Sequence, residues 1–209
     1  CVNKVIVFDL DDTIGHFEQI SMFLNGMQLI ANKKISDKYL YKLLDLWPQF
    51  LRPGIIDILK TIVRVKKKNK CVKAVIYTNN MGDRTWTLII KRYLERKIGS
   101  KIFDKVITAY RPHEKNNCRT THRKTYNDLL KCTKYKTNTQ FLFLDDQYHA
   151  EMKHPNIKYL HLHPYTFSIP FKQMIDLFIN SKYGKIIKNK NKNRFQNYMF
   201  KYLTSGTGH

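Results

Sequence analysis

Three carboxylates follow directly on an apolar run in residues 5–14, VIVFDLDDTI, so Asp9, Asp11 and Asp12 are candidates for joint chemistry. Two other apolar runs also end in polar groups, one in Thr78-Asn79 and one in Asp145-Asp146. An acidic pair after a strand is by itself more often a turn or a helix cap than a catalyst. Three polar clusters at the ends of successive strands are different, because open α/β sheets bind ligands outside the carboxyl ends of their strands. Asp9, Asp11, Asp145 and Asp146 at one pole would crowd negative charge, which is costly without a cation. An all-oxygen donor set suits a hard divalent ion such as Mg²⁺. A carboxylate, hydroxyl and amide donors, a metal and a lysine make equipment for phosphoryl transfer, and Lys124 is the candidate lysine.

The elements that must position these residues follow from the apolar pattern. Val5–Phe8, Val72–Tyr77, Val106–Thr108 and Phe141–Leu144 are short runs without alternation, as in buried parallel strands, and Lys158–Leu162 supplies a fifth. Helical spacing separates them over Ile55–Val65, Arg84–Lys97 and Arg123–Cys132, and Phe171–Asn180 closes the series. Strands alternating with helices predict an α/β layer with a mainly parallel central sheet. Residues 15–51 fall outside the rhythm and are expected as a small helical insert, with Ile20, Phe23, Leu24, Met27 and Ile30 on its buried face. Residues 181–209 carry lysines and no acid and are expected as a basic tail, which leaves 1–180 as the main domain.

The chain of 209 residues holds 38 Lys+Arg against 16 Asp+Glu, a net charge of +22 that attracts nucleic acid, anionic surfaces or acidic peptides. Cys1, Cys71, Cys118 and Cys132 lack the dense, paired spacing of a disulfide framework, so a reducing intracellular compartment, cytoplasmic or nuclear, is expected. His113, Cys118, His122 and Cys132 share one polar stretch but match no zinc spacing. No run reaches the roughly 18 to 20 apolar residues of a membrane span, so no membrane partner is expected. Nothing in the pattern sets an oligomeric state.

Taken in order, these motifs carry a family resemblance. Asp9-Leu10-Asp11-Asp12-Thr13 after a strand resembles the Asp-x-Asp-x-Thr motif of the haloacid-dehalogenase-like (HAD) phosphatases, and Thr78, Lys124 and Asp145-Asp146 resemble their second, third and fourth motifs. Arg52-Pro53-Gly54, Lys124-Thr125-Tyr126-Asn127-Asp128-Leu129 and the offset from Asp145 to His154-Pro155 are similar to the small phosphatases of the NLI-interacting-factor group, which act on the C-terminal domain of RNA polymerase II. The resemblance implies a Rossmann-like HAD fold without a large cap domain and a Mg²⁺-dependent hydrolysis of a phosphomonoester. It also implies roles: Asp9 as nucleophile, Asp11 as general acid and base, Thr78, Asn79 and Lys124 on the phosphoryl oxygens, and Mg²⁺ on Asp9, the Asp11 carbonyl and Asp145 or Asp146, with Asp12 and Thr13 shaping the loop. The implied substrate is a phosphoserine or phosphothreonine in a protein or peptide.

Three departures keep other readings in view. Asp146 stands where that group usually has Asn, Thr78-Asn79-Asn80 where it usually has Thr-Ala-Ser, and residues 15–51 read as helical where it places strands. Ile76-Tyr77-Thr78-Asn79-Asn80-Met81-Gly82 is instead similar to a segment of polynucleotide 3′-phosphatases, which makes a nucleic-acid end the alternative substrate. A HAD-fold binding module without catalysis is the third reading, and it sits poorly with a complete set of Asp9, Asp11, Thr78, Lys124 and Asp145.

Overall fold

A computed structural model describes residues 1–206, and these divide into two compact units, residues 1–15 with 52–165 and residues 16–51 with 166–206. The first unit holds a five-stranded, wholly parallel sheet, in agreement with the expected α/β class: β1 Lys4–Phe8, β2 Val72–Tyr77, β3 Lys105–Ile107, β4 Gln140–Asp145 and β5 Ile157–His161, in the order β3-β2-β1-β4-β5. This Rossmann-like layer includes the helices α3 Ile55–Lys68, α4 Arg84–Ile98 and α5 Tyr126–Thr133.

Side chains alternate across a strand, so each face of the sheet collects every second residue. Val5, Val7, Val75, Tyr77, Phe141 and Phe143 form one face and bury against Leu129 of α5 and Met152. On the strand positions between them, Phe8, Ala74 and Ile76 are buried too, and Phe8 meets Phe103 edge to face with ring centres 6.1 Å apart. Covering both faces explains why the strands read as unbroken apolar runs. The edge strand β5 is largely exposed.

The register matters most for function. Phe8 pairs with Ile76 on one side and with Leu144 on the other. The residue that follows β1, Asp9, therefore reaches the level of Tyr77 and Asp145, and its amide donates to the Leu144 carbonyl at 2.9 Å. One step further along β2 stands Thr78, whose amide donates to the Ile107 carbonyl at 3.0 Å.

Residues 16–51 are helical as expected, with α1 Glu18–Ala31, α2 Lys38–Leu46 and a 3-10 turn at Pro48–Phe50. The buried stripe of α1 is Ile20, Met22, Phe23, Gly26 and Met27; Leu24 is only half-buried and Ile30 is exposed, so the expected stripe is rotated. The second unit also contains α6 Phe171–Asn180 and α7 Lys192–Thr204. The basic segment from 181 onward is thus not a simple tail: Phe195, Met199 and Leu203, spaced four apart, bury the face by which α7 packs on α1 and α6. The last three residues, 207–209, lie outside the described residues. The division of the chain therefore cuts across the boundary expected at residue 180 and joins the 15–51 segment with the basic one.

The unit is knit by rings and by one close approach. Phe23 meets Trp47 and Phe178 edge to face at 5.3 and 5.1 Å, and Phe178 stacks with Phe195 at 5.9 Å. A Cβ on Gly26 of α1 would lie 2.9 Å from Met199 Sδ and from Tyr202 Cδ1, so any larger residue requires these α7 side chains to shift.

The cysteines depart from expectation. Cys1 pairs with Cys71 and Cys118 with Cys132, at Cα separations of 6.2 and 5.1 Å, leaving no free thiol among the described residues. The sequence spacing conceals this because the sheet register, not proximity along the chain, brings Cys1 beside the start of β2. Cys118 and Cys132 are committed to each other, so no zinc arrangement with His113 and His122 forms. No helix among the described residues is long and apolar enough to cross a membrane.

Candidate active site

The carboxyl ends of β1, β2 and β4 bring together Asp9, Thr78, Asp145 and Asp146, with Lys124 entering from the loop before α5. Lys124 was expected to open a helix, but Thr125 is the N-cap: it is extended, and its hydroxyl accepts from the Asp128 amide at 3.0 Å. Lys124 is thereby left in the preceding loop and free to project into the pole. Its ammonium, 1 % exposed, donates to Asp9 Oδ1 at 2.8 Å and to Asp145 Oδ2 at 2.6 Å.

Around this pair the remaining groups are fixed one by one. His149 Nε2 lies 3.1 Å from Asp145 Oδ2, and the Gln147 amide donates to Asp145 Oδ1 at 2.8 Å. Burial pushes the Asp145 carboxyl up, but the His149 hydrogen bond, the Lys124 charge and hydrogen bond and the Gln147 amide outweigh it and hold the group below the usual carboxylate range. Thr13 Oγ1 lies 3.1 Å from both Asp9 Oδ2 and Asp146 Oδ1, and the Asp146 amide donates to it at 3.2 Å. The hydroxyl expected only to shape the loop thus joins the two carboxylates.

Asp146 is pushed up to about 6, first by burial, then by its hydrogen bond to Asp9 and the charges of Asp9 and Asp145. The neighbouring carboxylates thus add to the effect of burial. Asp9, Asp145 and Asp146 place carboxylate oxygens within 4.8 Å of one another, and against the single ammonium of Lys124 three carboxylates leave a formal −2. A cluster of oxygens with that balance fits a divalent hard cation. Asp11, expected to contribute through its backbone carbonyl, has its carboxylate outside this cluster.

Asp11 is instead held by Asn80, whose Nδ2 donates to Asp11 Oδ2 at 2.7 Å. Burial raises the Asp11 carboxyl above its ordinary range; the Asn80 hydrogen bond opposes this, the charges of Asp9 and Asp12 add to it, and Lys124 opposes it. The loop carrying these acids turns at Asp12, which takes the left-handed conformation (φ 61°) that short polar side chains tolerate. Arg52 braces the turn, donating to the carbonyls of Thr13, Asp12 and His163 at 2.6, 2.8 and 2.7 Å.

A second buried cation orders the other half of the pole. Arg119, 3 % exposed, donates to the carbonyls of Thr78, Thr108, His122 and Arg123 at 3.1, 3.2, 3.0 and 3.0 Å and to Asn79 Oδ1 at 2.7 Å. It ties the loop after β2 to the loop that presents Lys124, and by engaging Asn79 Oδ1 it leaves Nδ2 as the amide's outward donor. The Thr78 hydroxyl accepts the Asn80 amide at 3.0 Å. Arg119, His149 and Asn80 escape a reading of the sequence. Asn80 lay in plain sight beside Thr78; Arg119 is one basic residue among many, and only its burial distinguishes it.

No protein-family model matches the chain, and no curated protein matches it. Among solved structures, it is similar to the crystal structure of a HAD-superfamily hydrolase, subfamily IA, variant 1, from Geobacter sulfurreducens PCA, with a TM-score of 0.40 and 12 % identity over 70 % of this chain and 81 % of that one.

Proposed function

We propose that the chain is a Mg²⁺-dependent phosphatase that hydrolyses a phosphomonoester through an aspartyl-phosphate on Asp9. The observation that carries this reading is the Lys124 ammonium lodged between Asp9 and Asp145 beneath a three-carboxylate cluster, with Asp11 held separately by Asn80. Asp9 attacks phosphorus, dividing one displacement into two easier steps. Lys124 fixes the attacking carboxylate and offsets its charge while the phosphoryl oxygens gather on Thr78 and the Asn79 amide. Asp11, whose raised pKa makes its protonated form accessible, gives its proton to the leaving oxygen; it then takes one from the water that cleaves the aspartyl-phosphate.

Asp9, Asp146 and Asp145 would hold the Mg²⁺, which when bound supplies neutralisation of the charge gathered at the pole. Asp146 is the more available of the last two, because Asp145 already serves Lys124, His149 and the Gln147 amide. As substrate we propose a phosphorylated serine or threonine in a protein, supported by Arg52-Pro53-Gly54 and His154-Pro155, which resemble the polymerase-tail phosphatases. A 3′-phosphorylated nucleic-acid end is the second reading, supported by Thr78-Asn79-Asn80-Met81-Gly82, in which Asn80 bonds Asp11.

Release of phosphate from an aryl phosphate in Mg²⁺ tests the reaction, and Asp9→Asn is expected to lower it by at least about 10³-fold, as loss of a nucleophile does. Absence of turnover in the wild-type protein, or an unaffected variant, overturns it. Phosphopeptides and 3′-phosphorylated oligonucleotides compared in one assay then decide the substrate.

A further inference from the structure

A second feature lies away from these acids and belongs entirely to the unit formed by residues 16–51 and 166–206. A pocket of about 650 Å³ opens between the end of α1, the start of α7 and the segment joining α6 to α7. Four large apolar side chains lining it are exposed: Leu29 (58 %), Ile30, Ile186 (56 %) and Tyr198. Exposed aliphatic groups gathered in one concavity differ from the single exposed ones that any surface shows. The pocket is also lined by Lys188, Lys190 and Arg194, all exposed, and no acid lines it.

The walls are specified by the chain rather than left to chance. Gly26 lets α1 and α7 approach closely, as described above. Gly184 does the same for the connecting segment: a Cβ there would collide with the carbonyl oxygens of Phe178 and Ile179 at the end of α6. Ser181 caps that turn, its hydroxyl accepting from the Tyr183 amide at 3.2 Å. Ile186 and Lys188 are therefore held where they stand although nothing in the unit buries them.

We infer that this pocket is a docking site for an acidic peptide segment bearing aliphatic or aromatic side chains. Shape and charge choose the occupant together. The aliphatic side chains offer nothing to a phosphodiester backbone, and a concavity of about 650 Å³ presents no flat apolar face to a lipid surface. A peptide fills it with one or two apolar anchors while flanking Asp and Glu residues meet the basic rim. Such a site would recruit a partner or substrate protein independently of the reaction at Asp9.

Fluorescence anisotropy with a labelled peptide of about 16 residues, alternating Glu pairs with Leu and Phe, tests this by the orders of magnitude that charged rims and buried anchors contribute. The Asp9→Asn protein is used throughout, so binding is read apart from catalysis. Lys188→Glu/Lys190→Glu/Arg194→Glu is expected to weaken binding at least about tenfold and Ile186→Ser about fivefold, whereas Lys60→Glu/Lys67→Glu/Lys68→Glu on α3 changes it less than about twofold. Retained circular dichroism and melting temperature certify each fold, and Lys190→Glu alone replaces the triple variant if that variant does not fold. The inference is overturned if the α3 reversal weakens binding as much, if an all-Glu peptide binds equally well, or if Ile186→Ser has no effect. Displacement of the peptide by anionic vesicles but not by unlabelled peptide overturns it in favour of a membrane. Sedimentation showing a dimer that Ile186→Ser abolishes overturns it in favour of a second copy of this chain.

Discussion

The acidic pole and the basic pocket use charge in opposite ways. At the pole, Asp9, Lys124 and Asp145 are buried and each is tied to specific partners, so position is defined to within a hydrogen bond. Around the pocket, Lys188, Lys190 and Arg194 stand in solvent and act as a field rather than as a geometry. Buried charges cost several kcal/mol each unless paired, whereas exposed ones cost almost nothing and contribute as little to stability. Precision is therefore concentrated where chemistry is proposed, while the exposed Lys188, Lys190 and Arg194 stand where encounter would be steered.

That contrast can be broken by substitution. Lys124→Met leaves Asp9 and Asp145 buried without their shared cation and is expected to destabilise the fold by about 3–5 kcal/mol, read from urea unfolding. Gly26→Ala forces a Cβ against Met199 and Tyr202 and is expected to cost about 1–3 kcal/mol, read the same way. At the pole, Mg²⁺ takes the ionised form of Asp146, whose pKa near 6 means that a proton must leave below that pH. Calorimetric affinity for Mg²⁺ is thus expected to rise about tenfold per unit as pH climbs toward 6 and to level off above it, a gain of about 1.4 kcal/mol per unit. Lys190→Met is expected to change stability by less than about 0.5 kcal/mol. If it matches Lys124→Met, the distinction between geometric and field-like charge fails.

Much of the pole was legible because its parts obey short-range rules. An apolar run ending in acid reads as a strand that delivers the acid, and parallel strands deliver to one end, so Asp9, Thr78 and Asp145 met as expected. Lys124 stands at the pole beside Asp9 and Asp145 but not on the expected element, since Thr125 caps the helix and nothing in the apolar spacing shows which of two adjacent residues will. Arg119, the Thr13 bridge and the disulfides depend on contacts between distant segments, where composition is silent. In the last segment lysines dominate the composition, yet Phe195, Met199 and Leu203 carry the four-residue spacing of a buried helical face. Charge describes what a segment shows to water; the apolar residues between the charges decide whether it folds.

The Thr13 hydroxyl, reaching Asp146 across 133 positions of sequence, makes a chronology as well as a contact. No shorter piece of the chain contains the cluster, so a nascent chain emerging from the ribosome carries Asp9 as an ordinary carboxylate until β4 has been synthesised and has paired with β1. A cation that fits the finished cluster has no comparable site on the unfolded chain, and at a concentration 100 times its dissociation constant it would add about 2.7 kcal/mol to the stability of the folded form. Ion supply would then set part of the equilibrium stability of the folded chain.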